Sequence, residues 1–304
     1  MAIENVILPF LVSSLKAGVS FKQSVTIGRQ DLLLWPDQIK RTFDQHHLPV
    51  NDNEIEHILT GENYFADNLF RKFGADVIDS IDHCEFEGAT IVHDMNQPVP
   101  AALKNKYSVV FDGGTLEHVF NFPQAIKNCM ELVQVGGHFI SVNPCDNMMG
   151  HGFYQFSPEL FFRIFCEENG FVVETLLIHE AWNSGKWLKV ADPDQIHQRV
   201  GCLTTEPTHL FLRARKLRDV EVLKTTPYQS DYSAIWSKNL AQKTDKSRLD
   251  FFYKTPEPVA SKTAKILDRL PLKLSNKLRA FKQLFKLPHE VDQAMFHEIQ
   301  LDKN

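Results

Sequence analysis

The stretch YSVVFDGGTLEHVFNFPQAIKNCMELVQVGGHFISVNP, residues 107–144, limits the folds open to this chain more than any other. Its first five residues are a short apolar run of the kind buried on both faces of a parallel sheet. Phe122–Val133 follows with apolar residues at helical spacing, Gly136-Gly137 reads as the stop of that helix, and His138–Asn143 is a second apolar run. Strand, helix and strand in this order point to an α/β protein.

The alternation extends over residues 20–215. Ser24–Gly28 reads as the first strand, Asp76–Ile81 and Thr90–His93 as the next two, and Tyr107–Phe111 and His138–Asn143 as the fourth and fifth. Phe171–His179 and His209–Ala214 complete the set, with a polar excursion, Trp182–Pro207, between them. Asp37–His46 and Asn53–Leu59 read as short helices in an insertion at about 35–61, and Tyr64–Phe73 as a longer helix. A helix starts at Ser157-Pro158-Glu159 and runs to about Asn169, with Gly170 as its stop. The expected architecture is a Rossmann-like, mostly parallel seven-stranded sheet flanked by helices. Residues 1–19 lead in, 20–216 form the α/β domain, and 217–304 form a helical or irregular extension. In that extension Tyr232–Gln242 is one candidate helix. Ser275–Lys286 is a clearer one, with Leu274, Leu278, Phe281, Leu284 and Phe285 on one face and lysines beside them.

Charge divides the chain in the same way. Of 33 Lys+Arg, 19 lie from Arg213 onward, but only 11 of 38 Asp+Glu do, so an acidic body precedes a basic tail. The tail helix suits an anionic membrane surface, a partner protein or the acidic body itself. Nucleic acid is not expected, because the body is acidic and basic and aromatic residues seldom interleave. No apolar run approaches the roughly 18 residues of a membrane span. The N-terminus is apolar but has no basic start, so no signal peptide is expected. Five cysteines without a CxxC or an even framework fit a reduced cytoplasmic setting.

In open α/β sheets ligands sit beyond the carboxyl ends of the strands. Those ends carry Gly28-Arg29-Gln30, Asp82, Asp94-Met95, Asp112-Gly113-Gly114 and the loop Pro144–Phe156. A carboxylate after the second strand can accept hydrogen bonds from both hydroxyls of a ribose. One after the third can accept from an adenine amino group, and a glycine after the first admits close backbone approach. The GxGxxG of a nicotinamide-binding turn is absent after the first strand.

Residues 107–144 resemble the core of the class I S-adenosylmethionine-dependent methyltransferases, of the methyltransferase type 11 kind: a strand-Asp, a "LEHV", a helix and a GG-strand. The likeness extends more loosely over residues 20–215, where ENGFVVETLL and THLFLRARK are similar to the antiparallel pair that ends the family's sheet. It implies S-adenosylmethionine as cofactor, with Gly28 as the glycine-loop residue and Asp82 on the ribose. It places Asp94 and Met95 beside the adenine, and Asp112 and Gly113 beneath the methionine part or the sulfonium. The first loop departs from the family pattern, holding Arg29 and Gln30 where further glycines are usual. About fifty residues separate Gly28 from Asp82, against about 20 in a compact unit. Two uses are open to Arg29. It can pair with the cofactor's carboxylate, or with Asp31 or an insertion carboxylate to close the loop.

The implied activity is methyl transfer to a small molecule or carbohydrate intermediate; the alternative is a catalytically degenerate fold that serves as a binding or scaffold module. Oxygen acceptors need a general base, and His118 and His151 are the candidates, although His118 can equally pack the turn. Glu117 reads as a structural hydrogen-bond acceptor. Asp146, Asn147, Tyr154 and Gln155 are the candidates for binding the acceptor. A metal is not expected, since His118, Cys145 and His151 show no tight ligand spacing.

Overall fold

The computed structural model describes residues 2–60, 64–180, 186–201, 204, 206–233, 236 and 295–301. In chain order the strands are β1 (Ala2–Ile3), β2 (Gln23–Ile27), β3 (Asp31–Leu32), β4 (Val77–Asp82), β5 (Ile91–Val92), β6 (Tyr107–Asp112), β7 (Val133–Asp146), β8 (Phe171–Glu180), β9 (Trp187–Val190), β10 (Thr208–Lys216) and β11 (Phe296–Ile299). β1 and β3 form a separate parallel pair. The other nine make one sheet in the order β11-β9-β8-β10-β7-β6-β2-β4-β5.

From β5 to β7 all neighbours are parallel. β10 then runs antiparallel between β7 and β8. The result is an α/β fold whose strands run mostly in one direction. The expected seven strands are all present, but the sheet has nine. β9 pairs antiparallel with β8, and β11 pairs with β9 from the far end of the chain. The edge is therefore mixed, and part of the polar excursion is a strand.

Both faces of the sheet are buried, which explains the near-continuous apolar strands. On one face Val109, Phe111 and Phe211 pack against α1 (Ile7–Lys16), α2 (Pro36–Gln45), α3 (Asp52–Leu59) and α4 (Asp67–Lys72). On the other, Val25, Val110, Leu210 and Leu212 pack against α5 (Phe122–Leu132) and α6 (Pro158–Ile164). A one-residue slip of β6 would exchange Val110 and Phe111 between two differently shaped cores, so its register is fixed by packing. The insertion supplies α2 and α3. Asn51 begins α3 with a reciprocal cap, accepting from Glu54 N at 3.0 Å while Glu54 Oε2 accepts from Asn51 N at 2.9 Å.

Three expected boundaries move. α5 ends at Leu132 and β7 begins at once, so Gly136 and Gly137 lie within the strand. A Cβ on Gly137 would stand 2.9 Å from the carbonyl oxygens of Tyr107 and Ser108, so the glycine lets β7 approach β6. The helix expected from Ser157 to Asn169 stops at Ile164 and resumes as a 3-10 turn, Glu167–Asn169. The expected Tyr64–Phe73 helix narrows to α4. The Ser275–Lys286 helix and most of Tyr232–Gln242 lie outside the described residues. Among the described residues no helix is long and apolar enough to cross a membrane.

Candidate functional site

After β2 the chain moves outward to β4 and β5, then returns to place β6 on the other side of β2. The order reverses there, so the crevice beyond the carboxyl ends of β2 and β6 is the expected ligand position. Ile27 is in register with Ile81 on one side and Asp112 on the other. Gly28, Asp82 and Gly113 therefore follow neighbouring strand ends. The amide of His93 donates to Asp82 O at 2.8 Å and brings Asp94 and Met95 alongside.

Asp82 Oδ1 accepts from the His83 amide at 2.6 Å. Asp94 Oδ1 accepts from both the backbone and the side chain of Asn96, at 2.9 and 2.7 Å. The backbone hydrogen bond, above all, holds its carboxyl below the usual range. Asn96 in turn accepts from Asn121 N at 2.8 Å and ties this loop to the start of α5. Met95 is buried in the core beneath it.

Arg29 and Gln30 fill the mouth of the crevice. The Arg29 guanidinium lies 4.0 Å over the Phe65 ring, donates to the carbonyls of Glu87 and Gly88 at 2.8 and 3.1 Å, and faces Asp67 at 3.7 Å. Asp67 belongs to α4, outside the insertion. Gln30 is buried, with Nε2 donating to Ile27 O at 3.0 Å. Its Oε1 lies where a Cβ on Gly113 would stand.

Asp112 is wholly buried and turned toward β7. Its Oδ1 accepts from the amides of Thr115 and Leu116 at 2.9 and 3.3 Å, shaping the 3-10 turn Leu116–His118. Its Oδ2 accepts from Ser141 Oγ at 3.2 Å and Asn143 Nδ2 at 2.7 Å. Burial pushes its carboxyl up. The same Asn143 Nδ2 donates to Glu117 Oε2 at 3.2 Å. The Glu117 side chain is 1% exposed. Burial and the nearby Asp112 push its carboxyl up to about 8.

The loop after β7 delivers His151 onto this carboxyl, with Nε2 3.2 Å from Glu117 Oε1. Gly152 makes the approach possible. Its φ is +72°, and a Cβ there would stand 2.8 Å from Glu117 Cγ. The Phe153 amide donates to Glu117 O at 2.7 Å, and Tyr154 Oη donates to Phe120 O at 2.6 Å. His118 meets His151 with ring centroids 4.9 Å apart. Burial and the facing His151 lower its affinity for a proton.

The other loop candidates are engaged within the protein, Asp146 and Asn147 with Thr204 and Gln155 with the loop itself. Asp146 Oδ2 accepts from Thr204 Oγ1 at 2.6 Å, Asn147 Nδ2 donates to Thr204 O at 2.9 Å, and Gln155 Oε1 accepts from the Met148 amide at 2.9 Å. The structure thus brings His118 and His151 together and adds Glu117, read from the sequence as structural only. The available signal was a carboxylate wedged between Leu116 and His118 in a turn that buries it.

No protein-family model matches the chain, and no curated protein matches it. Three solved structures illustrate what it is similar to. One is a Bacillus halodurans C-125 protein with a provisional methyltransferase name, 12% identical at a TM-score of 0.38, covering 68% of this chain and 99% of that one. Another is an S-adenosylmethionine-dependent methyltransferase of Mesorhizobium loti, 12% identical at 0.34, covering 67% and 96%. The third is the C9 mutein of the branched-chain polyamine synthase of Thermus thermophilus, in complex with N4-aminopropylspermidine and 5'-methylthioadenosine. It is 12% identical at 0.37, covering 76% and 61%. These TM-scores lie below 0.5, so the description of the fold rests on the strand order alone.

Proposed function

We propose that the chain is an S-adenosylmethionine-dependent methyltransferase acting on a small molecule or carbohydrate intermediate. One observation carries this reading: Gly28, Asp82, Asp94-Met95 and Gly113 follow the carboxyl ends of adjacent parallel strands around the switch point. The donor set fits the cofactor. Asp82 offers a carboxylate to ribose hydroxyls, Asp94 offers one to an amino group, and Gly28 and Gly113 present backbone without a side chain. Gln30 must leave its place over Gly113 for the methionine part to enter.

The cofactor supplies an electrophilic methyl group; the chain aligns the acceptor and removes its proton. His118 suits the second task, because its imidazole is held neutral near pH 7 and can accept a hydroxyl proton. Phe120 and Phe153 are exposed and pack edge to face with centroids 5.8 Å apart, next to that histidine. They offer an apolar rest for the acceptor.

Isothermal titration of the full chain with S-adenosylmethionine tests the reading. Binding is expected, and Asp82→Ala should weaken it on the order of 10–100-fold, the value of one or two hydrogen bonds to a charged group. No binding at millimolar cofactor overturns it. That outcome favours the second reading, a degenerate fold used as a binding module, which the Gln30 side chain over Gly113 supports.

A further inference from the structure

We infer that Glu117, His118 and His151 form a binding site for a first-row divalent transition-metal ion of the zinc type. Each offers one ligand atom, and the three atoms lie within 4.8 Å of one another. Donors side by side around zinc at about 2.1 Å are roughly 3–3.5 Å apart. His151 Nε2 and Glu117 Oε1 already meet that spacing at 3.2 Å. Only the exposed His118 has to swing inward. Two imidazoles and one carboxylate select zinc and its neighbours over magnesium or calcium, which prefer oxygen alone.

The surroundings are built to hold these donors. Asn143 Nδ2 fixes the second oxygen of Glu117, and Asp112 shapes the turn that carries Glu117 and His118. Gly152 and the Phe153 amide clamp the His151 loop directly onto Glu117. Such outer contacts orient ligands and strengthen a metal site. Charge points the same way. Asp112 and Glu117 are two buried carboxyls sharing one amide, and among the described residues neither pairs with a lysine or arginine. A bound cation would balance them. With three protein ligands, two of them exposed, the ion would keep a fourth position open. With the ion bound His118 would serve as a ligand and not as a base, and an acceptor hydroxyl in the open position would be acidified by the ion instead.

The inference rests on these side chains and not on the cofactor, so the two readings fail separately. The test is calorimetric titration of zinc chloride into the chelator-treated full chain, with Co2+ absorption as a second readout. One equivalent of zinc should bind. His118→Ala and His151→Ala should each weaken binding by at least about 100-fold, more than the loss of an outer contact. His57→Ala, on the surface of α3, should leave binding unchanged. The visible Co2+ bands should vanish in the His118→Ala/His151→Ala double variant, whose exposed side chains leave the fold intact by circular dichroism. Absence of zinc binding to the parent overturns the site, and so does zinc or cobalt binding that survives the double variant. S-adenosylmethionine titrated into the same samples reports the cofactor reading on its own.

Discussion

Gln30 lies over Gly113 between the ends of β2 and β6. Its Nε2 donates to Ile27 O, but its buried Oε1 finds no hydrogen-bond partner among the described residues. A buried amide oxygen left in that state costs about 1–3 kcal/mol, so the side chain is held by packing against its polar preference. Gln30→Ala should therefore change stability by less than about 1 kcal/mol. It should also tighten S-adenosylmethionine binding on the order of tenfold, by removing a group the cofactor must displace. Calorimetry on parent and variant checks this; equal or weaker binding by Gln30→Ala would place the cofactor elsewhere. The acids at the strand ends were legible because topology alone puts them there. The position of Gln30 was not. It depends on how the chain folds back after Gly28, where the Ala66 amide donates to Gln30 O at 2.9 Å and Asp31 bridges Phe65. The meeting of His151 with Glu117 is hidden in the same way, since a loop's reach cannot be read from spacing.

At the level of elements, the end of α5 shows why periodicity finds helices and misplaces their ends. The sequence offers Gly136-Gly137 as the stop, but the last turn is satisfied from β10. Lys216 Nζ donates to Val133 O at 3.0 Å and Met130 O at 3.4 Å, and to Asn105 Oδ1. A cation among the final carbonyls complements the helix dipole, and its partners come from a strand far along the chain. Burial lowers the proton affinity of this ammonium, yet its oxygen partners and Asp219 at 3.5 Å keep it in place. Lys216→Met should cost about 2–3 kcal/mol, because it strands buried carbonyls, and should lower the urea midpoint without changing the slope. A parental midpoint would mean that water serves those carbonyls equally well. β9 and β11 escaped the sequence for a related reason. Each is four residues long, and their pairing spans most of the C-terminal third of the chain, so no local pattern announces it.

Across the whole molecule, the three adjacent strands β7, β10 and β8 each carry an imidazole whose proton affinity folding lowers. His138 on β7, His179 on β8 and His209 on β10 are all held toward the neutral form, chiefly by burial. His209 goes furthest, to about 4, with His151 and His179 facing it. In the unfolded chain these groups take up a proton near pH 6.5. Between that pH and about 4 the unfolded state therefore binds more protons than the folded one. Stability from this source is complete above pH 6.5 and falls as the pH drops toward 4. Asp112 and Glu117 act in the opposite direction, since their raised carboxyls bind protons in the folded state first. A comparison of variant with parent separates the two effects. His209→Gln, measured by urea unfolding between pH 7 and 5 with a chelator present, should lose less stability on acidification than the parent. The difference should approach but not exceed about 1.4 kcal/mol per pH unit, the limit for one proton. Parallel curves would show that His209 keeps its proton equilibrium on folding. A flatter curve would show that keeping the His209 imidazole neutral in the folded state is part of what acid turns against the fold.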